Sequence, residues 1–237
     1  MRKNWIFLAV LVMLILIIFS LGSSSILEVR QILVKGNQKI TAEEIQTRLS
    51  SFVGQNLLVV DEKSVSSKLR SDKRIARLEI KRKWPGTLLV QITEKKPVLL
   101  LDNGQVWGLS REGEILPVDS LESQFLTVIQ GIRFRNFKPY TRPLVPELKQ
   151  ILELYEAIQS RNEQLLGLIA EINVSDKSEV VLTLLPQNTT VILGRQNYQQ
   201  KIARLIEMLG TVENLTATID LRFEGLGLVR PKPSQET

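Results

Sequence analysis

Residues 76–97 read ARLEIKRKWPGTLLVQITEKKP, and this stretch decides the fold of the first half of the chain. Ala76, Leu78 and Ile80 alternate with Arg77, Glu79 and Lys81, and Leu88, Val90 and Ile92 alternate with Leu89, Gln91 and Thr93. A period of two is that of a strand with one buried and one wet face. Trp84-Pro85-Gly86-Thr87 separates the two runs. Pro followed by Gly predicts a type II turn, with the fixed φ of proline and then the positive φ of glycine.

Working back from the hairpin, Asp61 is placed to cap a short helix whose Val65 and Leu69 lie four apart. Before it, Thr41-Ala-Glu-Glu44 reads as a capping box: the Thr hydroxyl takes one orphan amide and Glu44 another. It opens a helix with Ile45 and Leu49 on one face. Val29 to Lys35 is a β-branched strand ended by the turn dipeptide Gly36-Asn37. The order is strand, helix, helix, strand, strand.

At the N-terminus, Trp5 to Leu21 (WIFLAVLVMLILIIFSL) carries no charge and one hydroxyl, Ser20. A span needs about 20 residues with about 17 as a lower limit, and a buried charge there costs at least about 2.5 kcal/mol. The segment therefore reads as a transmembrane anchor over residues 5–25, with Trp5 at the headgroup level. A cleaved signal peptide is the alternative, with Arg2 and Lys3 as its basic end, although the apolar run exceeds the usual 7–15 residues. In both readings residues 1–4 stay in the cytoplasm and the rest is exported.

The composition excludes much chemistry. The chain of 237 residues has no Cys and no His. Thiolate chemistry, Ser-His-Asp triads and HExxH zinc sites are therefore absent, and so are the SxxK, GxxxxGK[ST] and GxGxxG motifs. No catalytic residue, metal site, cofactor or small-molecule substrate is expected. The net charge of +6 points to anionic headgroups or wall polymers rather than nucleic acid, because an exported domain meets no genome. Its densest basic cluster includes Arg74, Arg77, Lys81 and Lys83, a candidate membrane or partner face.

Residues 26–97 resemble a POTRA domain, the β-α-α-β-β module of exported, membrane-proximal proteins. The resemblance rests on the Val-x-Gly-Asn turn at 34–37, the helix opening at Thr41, Gly54-Gln-Asn-Leu57, the Arg82-Lys-Trp-Pro85 hairpin and Glu94-Lys-Lys-Pro97, all in family order. With one N-terminal anchor the chain resembles the FtsQ/DivIB family of bacterial cell-division proteins. Val98 to Trp107, a hairpin about Asn103-Gly104, and Ser110 to Pro117 resemble the start of that family's second domain.

The expected architecture is α+β: a transmembrane helix, a POTRA domain, then an α/β domain with a mostly antiparallel sheet over 98–230 and a disordered tail over 231–237. In the second domain, the patterns predict a strand over 126–129, a helix over 147–160 and a hairpin of 167–174 with 179–184. A strand over 189–193, a helix over 196–209 capped by Gly210, and a last strand over 216–223 complete it.

That last strand is the candidate docking site. The resemblance implies that the segment Asp220, Leu221, Arg222, Phe223, Gly225, Leu226, Gly227 and Leu228 recruits an FtsB/DivIC-like partner, with an FtsL-like protein, and that the chain is a non-enzymatic scaffold at the septum. A strand edge serves this by β-augmentation. Phe223 stands where the family pattern often has Tyr. Ile219, Leu221 and Phe223 equally fit a buried face. A POTRA-bearing translocation or assembly factor, and a secreted wall-binding domain, are the other readings.

Overall fold

The computed structural model describes residues 5, 7–13, 25–119, 125–132, 138–175, 177–211 and 217–231. Trp5 and residues 7–13 are helical, and no helix among the described residues is long and apolar enough to cross a membrane. Most of the expected anchor, residues 14–24, lies outside the described residues, as does the expected tail from 232 onward. The chain divides into two compact units, Met1–Lys95 and Lys96–Thr237.

The first unit follows the expected order. Strand β1 (Gln31–Lys35) precedes helix α1 (Ala42–Arg48), a 3-10 turn, helix α2 (Glu62–Arg70), and strands β2 (Ile75–Lys83) and β3 (Thr87–Glu94). The sheet order is β1-β3-β2, with β1 parallel and β2 antiparallel to the central β3. As the middle strand, β3 buries Leu88, Val90 and Ile92 against Ile45, Leu49, Val65 and Leu69 of the helices.

Three local expectations need correction. The Trp84–Pro85 peptide is cis and Gly86 is not among the glycines with positive φ, so the turn is not type II. Gly86 is required instead by close approach, since a Cβ there would lie 2.6 Å from the Glu28 carbonyl oxygen. Strand β2 lies at the sheet margin, and Ala76, expected to point inward, is exposed beside a bulge between Ile75 and Arg77. Thr41 caps α1 by accepting from the Glu44 amide at 3.1 Å, but the Glu44 carboxylate turns to Arg48 and Arg74, at 2.8 and 2.6 Å. An ion pair with two guanidiniums has displaced the second half of the capping box.

Two carboxylates tie this unit together. Glu94 accepts the amides of Gln38, Lys39 and Ile40 at 2.6–3.0 Å; burial pushes its carboxyl up, and the three amides outweigh burial and hold it below its usual value. Asp72 accepts from Arg74 Nε and Nη2 at 2.9 and 2.7 Å and pairs with Arg48 at 3.0 Å. The Arg74 hydrogen bonds hold its carboxyl down at about 2, against the opposing effect of burial.

Among the described residues, the second unit is a nine-stranded sheet in the order β12-β11-β10-β9-β8-β7-β4-β5-β6. It comprises β4 (Pro97–Asp102), β5 (Val106–Ser110), β6 (Ile115–Leu116), β7 (Val128–Gln130), β8 (Ile169–Val174), β9 (Val180–Leu184), β10 (Thr189–Gly194), β11 (Ala217–Asp220) and β12 (Leu228–Pro231). Of its eight pairings, five are antiparallel; β10/β11, β7/β8 and β4/β7 are parallel. Helices α3 (Pro146–Arg161) and α5 (Tyr198–Thr211) complete its core with Leu148, Ile151, Leu154, Tyr155, Ile158, Tyr198, Ile202 and Leu205. Helical spacing predicts a stripe of Leu148, Ile151, Leu152, Tyr155 and Ile158 along α3; the structure buries Leu154 as well and leaves Leu152 half-buried.

Some boundaries move. A short helix α4 (Gln164–Leu168) occupies the start of the predicted 167–174 strand. Asn103-Gly104 belongs to a three-residue loop, because Asp102 pairs with Val106. Gly210 lies inside α5 rather than capping it. The predicted 216–223 strand ends at Asp220, and Pro231, assigned to the tail, closes β12.

The Asp72 cluster sets an acid limit. Its carboxyl titrates near 2 when folded against 3.8 unfolded, so the stability it contributes is present above pH 4 and lost as pH falls toward 2, on the order of 2 kcal/mol. Thermal melts of the parent between pH 4 and 2 should fall more steeply than those of Asp72→Asn, which starts less stable and loses this component of the slope.

Candidate functional site

The sheet of the second unit ends at β12, and this margin is the candidate site. Strand β11, the expected edge, is an interior strand. It pairs in parallel with β10, Ile219 opposite Val191, and antiparallel with β12, Ile219 opposite Val229. The alternation predicted along 219, 221 and 223 holds for Ile219 and Leu221, at 1% and 0% exposure. It fails at Phe223, which is 52% exposed because the strand has already given way to a turn.

Among the sequence-predicted residues, Asp220 and Leu221 are buried and do not reach the surface. The Asp220 carboxylate accepts from Arg222 Nε at 3.1 Å and Nη2 at 2.8 Å, and Arg222 also pairs with Glu179 at 3.6 Å. The Arg222 hydrogen bonds lower the Asp220 carboxyl against burial. Arg222 itself is exposed, so only Asp220 and Leu221 of this group lie beneath the surface. Phe223, Gly225 and Leu226 form the exposed loop above them, and Leu228 opens the marginal strand.

Helix α5 holds this loop from beneath. Lys201, Arg204 and Met208 are three and four residues apart, the spacing that puts side chains on one helical face. Lys201 is buried and donates to the Leu193 carbonyl at 2.6 Å; burial lowers its ammonium, joined by Arg204 and opposed by Asp220. Arg204 Nη1 donates to the carbonyls of Phe223 and Leu226 at 3.3 and 3.2 Å. Gly227 passes so close to Met208 that a Cβ would lie 2.5 Å from Sδ. Gly225, at φ 76°, provides the left-handed residue of the turn.

Strand β12 is exposed at all four residues, including Leu228 at 43% and Val229 at 38%. Among the described residues its one neighbour in the sheet is β11, and an edge strand of this kind presents unpaired backbone N–H and C=O groups on its outer side. Phe223 and Leu226, at 52% and 64%, add apolar surface beside it. Val229 and Arg230 were not among the candidate residues. The run Leu228-Val-Arg between Gly227 and Pro231 was the available signal, too short to register as a strand.

The basic face of the first unit is less free than its sequence suggests. Arg74 is committed to Asp72 and Glu44, and Lys81 lies 3.1 Å from Glu79. Arg77 and Lys83 are exposed on the same strand. Among the described residues there is no group of three or more His, Cys, Asp or Glu able to hold a metal ion.

Comparison with known proteins gives two family matches. The model for "POTRA domain, FtsQ-type" matches residues 27–95, and that for "Cell division protein FtsQ/DivIB, C-terminal" matches residues 89–222. Among individual relatives, the cell division protein FtsQ of Anaeromyxobacter sp. is 28% identical over 194 residues, 80% of this chain and 65% of the relative. That of Geotalea daltonii is 26% identical over 172 residues, covering 71% and 62%. The matched region thus spans a little under two thirds of these relatives' own length.

Replacing Arg204 by Ala should free the loop. Amide exchange across 223–230 should accelerate roughly tenfold, from two lost charge-assisted hydrogen bonds, with the α3 core amides unchanged. Gly227→Ala should do the same, and Met208→Ala should restore it.

Proposed function

Because the chain belongs to the FtsQ/DivIB family of cell division proteins, we propose that it is a non-enzymatic scaffold of the bacterial division complex. It is held in the cytoplasmic membrane by residues 5–25, with residues 1–4 inside and both folded units outside, and it works at the septum. An FtsB/DivIC-like partner, accompanied by an FtsL-like protein, docks on its second unit.

The observation that carries this reading is the open margin of β12. A sheet that ends on an exposed strand is a template for a further strand, whose main-chain hydrogen bonds provide affinity and whose alternate side chains provide specificity. Phe223 and Leu226 supply an apolar shelf at one end of that strand. Soluble proteins commonly blunt such edges with charge, proline or bulges. Here Pro231 closes the strand, and Arg230 is its one charge. Leu228 and Val229 are left as the adhesive positions. The docking site therefore comprises Phe223, Gly225, Leu226, Gly227 and Leu228 with Val229 and Arg230, while the buried Asp220 and Leu221 support it and the exposed Arg222 holds the Asp220 carboxylate beside it.

The absence of Cys from the sequence makes a clean test. Single cysteines placed at 223, 228, 229 and 230 of the full chain would be its only thiols. In membranes carrying the FtsB/DivIC-like protein with cysteines scanned along its exported segment, disulfide cross-links should appear at 228–230 with a period of two along the partner. Cross-linking that shows no strand periodicity, or that clusters at Arg77 and Lys83 positions when these are scanned as controls, would remove β12 from the docking site.

A further inference from the structure

The first unit exposes a second apolar feature that the docking site does not use. Ile26, Leu58, Val59 and Trp84 are 60%, 49%, 76% and 53% exposed, although they come from three separate stretches of sequence. Hydrogen bonds gather those stretches at one end of the unit. Glu28 bridges to Asn56, and the Leu57 amide donates to the Leu27 carbonyl at 2.7 Å, which sets Ile26 beside Leu58. The Gly86 carbonyl accepts the Arg30 amide at 2.8 Å. Arg82 Nη2 donates to the Val60 carbonyl at 2.9 Å, and Arg82 Nη1 reaches Glu62 at 3.2 Å. The hairpin tip bearing Trp84 is thus fastened both to the entering chain and to the 56–60 segment.

Two carboxylates at this end are engaged: Asp61 caps α2 through the amides of Lys63 and Ser64 and the Ser64 hydroxyl, at 2.7–3.2 Å, and Glu62 pairs with Arg82. Lys83, next to Trp84, is exposed. An amphipathic indole flanked by aliphatic side chains and lysine or arginine is the composition that partitions into a headgroup region.

Chain connectivity says what that rim faces. The apolar run ends at Leu21, and only Gly22-Ser-Ser-Ser25 separates it from Ile26. Five Cα–Cα steps at about 3.5 Å reach about 17 Å even when fully extended, so a membrane-anchored chain cannot hold Ile26 farther than that from the end of its span. We infer that Ile26, Leu58, Val59 and Trp84 dip into the outer headgroup region of the same bilayer, with Lys83 on its anionic lipids. This rests on the anchor proposed above. The rim fixes the height and tilt of the first unit by a second attachment beside the tether, rather than by the basic strand face of Arg77 and Lys81.

The test uses the full chain reconstituted into vesicles of phosphatidylglycerol and phosphatidylcholine. Flotation after alkaline carbonate washing reports the anchor. The difference in fluorescence between the parent and Trp84→Phe isolates Trp84 from Trp5 and Trp107. With lipids brominated near the headgroup end of the acyl chain, that difference should lose roughly half its intensity, as expected for an indole at the interface. Leu58→Glu with Val59→Glu, at exposed positions that the core does not use, should abolish the quenching while the chain still floats. A parent that floats but whose Trp84 is quenched by aqueous acrylamide and not by bromolipid overturns the rim and leaves the anchor standing. A chain that the carbonate wash releases overturns the anchor, and the rim with it.

Discussion

A strand inside a sheet satisfies its backbone on both sides; the last strand satisfies only one. In the second unit, among the described residues, that asymmetry falls on β6 at one end of the sheet and on β12 at the other, and at β12 the preceding turn is tied to a helix. Parallel pairing of β10 with β11 continues past Asp220 through the Leu221 amide, which donates to the Ile192 carbonyl at 2.9 Å. The chain then turns through seven residues and returns antiparallel to β11. Arg204 fastens the turn to α5, and the contact of Gly227 with Met208 brings the returning backbone down against the same helix. The margin is exposed yet held, the condition under which a partner strand can pair without first paying for the ordering of its template.

The first unit solves a different problem. Its sheet of three strands buries a small core, and helices of seven and nine residues are too short to be stable alone. Polar ties supplement packing. Glu94 gathers three successive amides of the loop before α1, and Asp72 joins Arg48 of α1 to Arg74 at the entry to β2. Each carboxylate serves a cluster of donors that would otherwise lie half-buried and unmatched. That is why Arg74, conspicuous in the sequence as part of a basic patch, belongs to the interior economy of the fold rather than to its surface.

Legibility in the sequence followed the size of the periodic signal. The 88–92 strand, the caps at Thr41 and Asp61, and the stripes of α3 and α5 were readable because burial imposes a repeat over many residues. What was missed depends on contacts distant in sequence. Nothing near Glu44 announces that Arg74 will claim its carboxylate, and nothing near Gly86 announces the Glu28 carbonyl against it. The sheet edge expected at 216–223 lies instead on the next strand, β12. Ile219 and Leu221 look alike whether β11 is interior or marginal, and the strand that covers it has only four residues. Ordered resemblance to the POTRA and FtsQ/DivIB patterns compensated for this at the level of family, which the comparisons bear out.

The central claim is that the outer side of β12 is a free template for a partner strand. Hydrogen exchange of the Leu228, Val229 and Arg230 amides in the membrane-reconstituted chain, with and without the exported segment of an FtsB/DivIC-like protein, tests it most directly. The account predicts rapid exchange at the outward amide positions alone and marked slowing once the partner is added, with the β8–β9 amides unaffected. Unchanged exchange at 228–230, with new protection appearing elsewhere, would contradict it.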